Sequence, residues 1–178
     1  MSEISKLGLA DKFILPLFIL LGTKYISIFI INLLFSFNWD FSFSFYQVFF
    51  LPFIHYSDKR QLLVANSLSS LFMVLVLAIG FTWIIFRFQY FHEHHIKPKT
   101  ASILHQKKME NLILSDAEFH RQLIVWFSLA WFVFIFILLE FLGGSVILPV
   151  LSLNLTVVLF LSLVIISDMF KKDYSKKG

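Results

Sequence analysis

Four apolar stretches, at 13–37, 62–86, 123–142 and 146–166, constrain this chain more than any other feature. Each is long enough to cross a hydrocarbon core of about 30 Å as a helix. In lipid a single chain segment must satisfy its backbone polar groups internally, and a helix does so. The expected fold is therefore all-α, one integral membrane domain built as a four-helix bundle. The chain is 58% hydrophobic and 15% charged, whereas soluble domains run closer to half apolar and about a quarter charged. The four runs take up about half of the 178 residues, which leaves no room for a separate soluble domain. Lys6 and Lys12 precede the first run as a basic n-region would. No small-x-small cleavage site follows, and the run resumes after Lys24, so this segment reads as a retained span.

Orientation follows from where the basic residues fall. The N-terminal segment carries Lys6 and Lys12, the connection 87–121 carries six Lys and Arg, and the tail carries Lys171, Lys172, Lys176 and Lys177. With four spans these segments share one side, which then holds twelve basic residues. The other side holds Lys59 and Arg60 alone. The positive-inside rule places both termini and the second connection in the cytoplasm of a multi-pass cell-membrane protein. The same bias accounts for the net charge of +4 without invoking nucleic acid. The 24 phenylalanines, with lysine preferred over arginine, suggest an AT-rich bacterial genome and hence an inner membrane.

The spans are not equivalent. The first contains Lys24 about halfway along and Pro16 in its early turns. It reads as one tilted helix over about 11–37, or as an interfacial helix to Gly22 followed by a shifted span. An ionisable residue at membrane depth is a functional candidate by default. The plainer account is a side chain that snorkels or meets a polar helix partner. Asp40, Asp58 and Glu140 all fall near the outer ends, so no acidic partner is expected at matching depth. Ser69 or Ser70 on the second span and Asn154 on the fourth are the expected hydrogen-bond partners. Small residues on the second span (Ala65, Ser67, Ser69, Ser70, Ala78, Gly80) suit close helix packing.

Between the first two spans, Phe35, Phe37, Trp39, Phe41, Phe43 and Phe45 alternate with polar residues. Period-2 alternation marks a strand, but an aromatic belt at the headgroup level is the favoured reading. Ser57 or Asp58 then caps the second helix. Nothing breaks that helix between Asp58 and Pro98, so it is expected to outrun the bilayer and project into the cytoplasm. A short helix capped by Thr100 is expected to run to Leu114. Its apolar residues spread around the wheel, as in a helix packed between protein surfaces. Ser115 and Glu118 then have the spacing of a capping box that starts the third span. Gly143-Gly144 makes a tight turn into the fourth, with Pro149 in its first turn.

Little of this points to catalysis. With no cysteine, disulfides, thiolate catalysis and thiolate metal sites are excluded. Haem held between helices would need a histidine within the spans, and none lies there. His92 and His95 share a helix face, so together with His105 or His120 they form a candidate metal set. The His92-Glu93-His94-His95 run resembles one histidine box of membrane di-iron desaturases and hydroxylases. Those families use several boxes, whereas this chain has six histidines in all and His55 is expected on the opposite side. Arg87 with His92 or His94 resembles the catalytic spacing of HEPN ribonucleases, soluble helical bundles for which the chain has no room. The plainer reading of the histidines is a polar helix end beyond the membrane, complementing the helix dipole.

Three expectations follow. The leading one is a non-enzymatic scaffold, anchor or accessory subunit, without cofactor and contacting lipid. It would bind a protein partner or another copy of itself through the 87–121 segment. The second is an oligomeric channel or transporter protomer with a polar midplane around Lys24 and Asn154. The third is a metal-dependent membrane enzyme using the histidines.

Overall fold

The computed structural model describes residues 3–41, 54–91, 96, 98–107, 112–113 and 115–175. Within them the chain is helical apart from one small ribbon. The order is α1 (Glu3–Leu34), β1 (Trp39–Phe41), β2 (Ile54–Tyr56), α2 (Lys59–Phe91), α3 (Pro98–Gln106), α4 (Asp116–Leu142) and α5 (Leu148–Ser175). Four helices are long and apolar enough to cross a membrane, over Phe13–Leu34, Lys59–Phe91, Ala117–Leu142 and Leu148–Ile166. These are the marks of a multi-pass membrane protein. Helix α2 packs against α1, α4 and α5, and α4 and α5 pack against each other.

Helix α1 is one continuous helix rather than two pieces. It begins at Glu3, which puts Pro16 well inside it and not in its first turns. It ends at Leu34, three residues before the expected end, because the chain turns there. Phe35 N–H reaches Ile31 O at 2.9 Å, Phe37 N–H reaches Asn32 O at 3.1 Å, and Ser36 takes a φ of 52°. That left-handed conformation is uncommon for a residue with a Cβ and ends helical propagation.

The ribbon corrects the belt expectation where the chain is described. Trp39, Asp40 and Phe41 pair antiparallel with Tyr56, His55 and Ile54. Two extended segments satisfy each other's backbone groups, which a lone strand cannot do. The rest of the alternating stretch, 42–53, lies outside the described residues. Asp58 then caps α2, its Oδ1 accepting from Arg60 N at 2.9 Å.

Helix α2 has 33 residues and is about 50 Å long, well beyond a core of about 30 Å. At its far end the Phe88 and Phe119 rings stack with centroids 3.8 Å apart, and Arg87 donates to Leu112 O at 3.3 Å. Helix α3 is shorter than expected and begins at Pro98, so Thr100 is its third residue and not its cap. Proline suits the first helical position, where its missing N–H costs nothing and its φ is already helical. Leu104 is buried on it while Ile103 is exposed.

Ser115 caps α4 as the spacing predicts, accepting from Glu118 N at 3.3 Å. At the other end Gly144 supplies the positive φ of 70° that closes the turn into α5. The core gathers Leu20, Met73, Leu77, Leu129, Val133, Ile137, Val158 and Leu161 from all four long helices. The outward faces are equally apolar. Leu15, Phe18, Ile26 and Leu33 are exposed on α1, and Leu159, Phe160 and Leu163 on α5. Helices apolar all round fit a lipid surrounding and not water.

Candidate functional site

The buried polar residues cluster toward one end of the molecule, where α1 and α4 end and α2 and α5 begin. On α1 they are Lys24, Ser27 and Asn32, on α2 Asn66, Ser67, Ser69 and Ser70, and on α5 Asn154. Glu140 joins them from α4. The other half of the interior is apolar, with Phe81, Ile84 and Leu123 among its residues.

Lys24 is the centre of this cluster. Leu20, Lys24, Ile28 and Ile31 fall at helical spacing on the buried face of α1, which turns the ammonium inward. Its Nζ forms an ion pair with Glu140 Oε2, and the side chains are 0% and 9% exposed. The same Nζ donates to Ser70 Oγ at 2.8 Å. Ser70 Oγ in turn donates to Glu140 Oε2 at 3.1 Å. The three groups thus close a loop joining α1, α2 and α4. The ammonium also lies 4.7 Å from the centroid of the Phe136 ring, one turn before Glu140 on α4, which adds a cation–π attraction in a desolvated setting.

This geometry overturns the expectation that Lys24 has no acidic partner. Glu140 lies two residues before the end of α4, and residue position alone placed it away from Lys24. A lysine carries its charge on a long stem, and that reach brings the two groups together. The alternative would be two isolated charges in a medium of low dielectric, each costing several kcal/mol of desolvation. Glu140 Oε1 is buried without a hydrogen-bond partner, so the carboxylate is satisfied through one oxygen.

Of the expected partners, Ser70 is joined to Lys24. Ser69 Oγ donates instead to Asn66 O at 3.0 Å. Asn154 is fully buried on the inward stripe of α5, between Val150 and Val158. Its Oδ1 and Nδ2 both lack hydrogen-bond partners. Two further side chains bind the cluster to the surrounding frame. Ser67 Oγ accepts from Ile147 N at 3.1 Å, tying α2 to the turn between α4 and α5. Tyr56 OH donates to Asn32 Oδ1 at 2.8 Å, tying the ribbon to α1. Burial pushes the Tyr56 phenol above its ordinary value.

The candidate metal set is not assembled in the described part of the chain. His92, His94 and His95 lie outside the described residues. His105 is exposed on α3, and His120 on α4 packs beside the Phe119 ring at 6.1 Å. Among the described residues no three potential metal-ligating side chains come together. Comparison with protein-family models, curated proteins and solved structures finds no match for this chain.

Proposed function

We propose that this protein is a non-enzymatic subunit of the cell membrane of a bacterium, a scaffold or anchor on which other chains assemble. Its four long helices form a bundle, with both termini and the 87–121 segment in the cytoplasm. The observation that carries this reading is the internal engagement of Lys24. A cation at membrane depth is a prime candidate for a catalytic or transport group. Here it is tied to Glu140 and Ser70 with 0% exposure, an arrangement suited to holding helices together. The second support is the far end of α2, which is fastened to α4 by Phe88 and Phe119 and to Leu112 by Arg87. An ordered projection beyond the membrane presents a surface for a partner.

The absence of cysteine makes the test clean. A photo-reactive amino acid at Ile103, exposed on α3, is expected to give a discrete crosslinked species in intact membranes. The purified protein is expected to be larger than a monomer or to carry a partner. No crosslink, together with a strictly monomeric species, overturns the reading. Orientation is tested with Lys107→Cys and Asn38→Cys and an impermeant maleimide. Label is expected at position 38 in intact cells and at 107 only after lysis.

A second reading, an oligomeric channel or transporter protomer, is supported by buried polar atoms of the cluster that lack hydrogen-bond partners, among them Glu140 Oε1 and the Asn154 Oδ1 and Nδ2. Polar groups of this kind line the pathways of membrane transporters. Ion or solute flux into liposomes decides it. Flux that is absent, or that Lys24→Leu leaves unchanged, removes this reading.

A further inference from the structure

Where α1 gives way to the ribbon there is a cavity of about 370 Å³ lined by Phe37, Asn38, Trp39, Asp40 and Ser57. We infer that this cavity is a binding site for an organic ammonium group at the membrane surface. Three observations carry the inference.

The first is the chemistry of the lining. Among the described residues it offers two aromatic rings, one carboxylate, and the amide and hydroxyl of Asn38 and Ser57, with no cationic side chain. Asp40 is exposed, and among the side chains described its carboxylate has no hydrogen-bond or ion-pair partner. A carboxylate beside aromatic faces attracts a cation and repels an anion. Aromatic surroundings favour an ammonium bearing carbon substituents over a strongly hydrated inorganic ion.

The second is that the rings are held in place. Trp39 lies edge to face against Phe29 at 6.0 Å, and Phe37 against Tyr56 at 6.4 Å. Tyr56 is itself anchored by its hydrogen bond to Asn32. Ser36, at φ 52°, makes the bend that brings Phe37 and Trp39 out of the helix and onto the cavity wall. Strained backbone of this kind persists only where its surroundings hold it.

The third is position. The apolar window of α1, Phe13–Leu34, is 22 residues and about 33 Å long, so the cavity just beyond it falls at the headgroup layer, where tryptophan is favoured. The volume is at the small end of ligand sites and suits an ethanolamine- or choline-sized group. The group has two possible sources, the headgroup of a zwitterionic lipid or a free amine.

The test uses the full chain in a maltoside detergent, with tryptophan emission followed during titration by choline or ethanolamine. The Trp39→Phe variant identifies the signal, and equilibrium dialysis with labelled choline measures binding independently. Saturable binding is expected, weakened about tenfold or more by Asp40→Asn and retained by Asp40→Glu. In nanodiscs, emission is expected to differ between phosphatidylethanolamine-containing and pure phosphatidylglycerol bilayers, and Asp40→Asn is expected to abolish that difference. Binding of free amine in detergent points to a soluble ligand. A response confined to the nanodiscs points to the lipid headgroup. No saturable binding in either setting overturns the inference, as does binding that Asp40→Asn leaves unchanged.

Discussion

Lys24 on α1 and Glu140 on α4, 116 residues apart in the chain, form a buried ion pair, and Ser70 on α2 donates to the same carboxylate oxygen. The arrangement makes three helices share one charge balance. Removing one partner leaves the other ionised, buried and uncompensated, and that is the expensive state. Lys24→Leu or Glu140→Leu is expected to destabilise the fold by about 3–5 kcal/mol. The double variant is expected to recover most of the loss, because replacing a buried pair by apolar groups is often neutral. Steric-trapping or detergent-denaturation measurements on the four proteins check this. Additive losses, with the double variant losing as much as the two single variants together, would show that the pair does not act as a unit.

Ser70→Ala deletes one donor to Glu140 and one acceptor from Lys24 while leaving the ion pair intact. Side-chain hydrogen bonds between membrane helices average about 0.6 kcal/mol and reach about 1.7. The same denaturation assay is therefore expected to show a loss near 1 kcal/mol, clearly smaller than that of Lys24→Leu. A loss as large as that of Lys24→Leu would mean that the hydroxyl, and not the opposite charge, carries the balance.

Most of the local features were legible in the sequence and the long-range ones were not. The caps at Asp58 and Ser115 and the turn at Gly143-Gly144 follow from side chains acting on backbone within a few residues of themselves. The four apolar runs follow from composition over a helix length. Glu140 could not be assigned to Lys24 in the same way. Position along α4 places it near the helix end, and only the relative placement of α1 and α4 shows what the lysine stem can reach. The pairing of Trp39 with Tyr56 is likewise non-local. Alternation of aromatic and polar residues suits both a strand and a belt, and the presence of the opposite strand decides between them. Thr100 has the side chain of a cap, but Pro98 already occupies the first helical position of α3, so the helix starts two residues earlier.

Gly80 on α2 packs directly against the Trp126 ring of α4. A Cβ built there would fall within the van der Waals envelope of the Trp126 ring. By helix propensity alone Gly80→Ala would stabilise α2 by about 1 kcal/mol. The indole is rigid, so overpacking is expected to win, with a net loss of about 1–3 kcal/mol. Trp126→Leu in the same chain is expected to relieve the clash, leaving Gly80→Ala neutral or stabilising in that background. Thermal denaturation of the four proteins reads out the sign, and a stabilising Gly80→Ala in the wild-type background refutes the close packing.

Tyr56 links the ribbon to α1 through Asn32, and its raised pKa gives the link a defined pH dependence. The folded state favours the neutral phenol, so this contribution is complete below the unfolded value of about 10. It declines as pH rises through that value toward the higher folded one. Spectrophotometric titrations of the wild-type protein and of Tyr56→Phe are expected to differ by one tyrosine that ionises late. Tyr56→Phe also leaves Asn32 Oδ1 buried and unpaired, at a cost of about 1–3 kcal/mol. An unchanged late titration in Tyr56→Phe assigns the signal elsewhere.

The stack of Phe88 on Phe119 joins the far ends of α2 and α4, remote from the polar cluster. Phe119 is nearly buried there, and Phe119→Ala removes both its apolar area and the ring contact. Core Phe→Ala substitutions cost about 3–5 kcal/mol, of which the ring pair itself accounts for about 0.5–1.5. A cycle with Phe88→Ala separates the two contributions. The effect is expected to be local, with amide exchange rising at the end of α2 and the start of α4 while α1 and the first half of α2 stay protected. The Lys24–Glu140 pair holds that first half independently, so the two ends should loosen separately. Uniform loss of protection along α1 and α2 would instead show that the projection and the polar cluster form one cooperative unit.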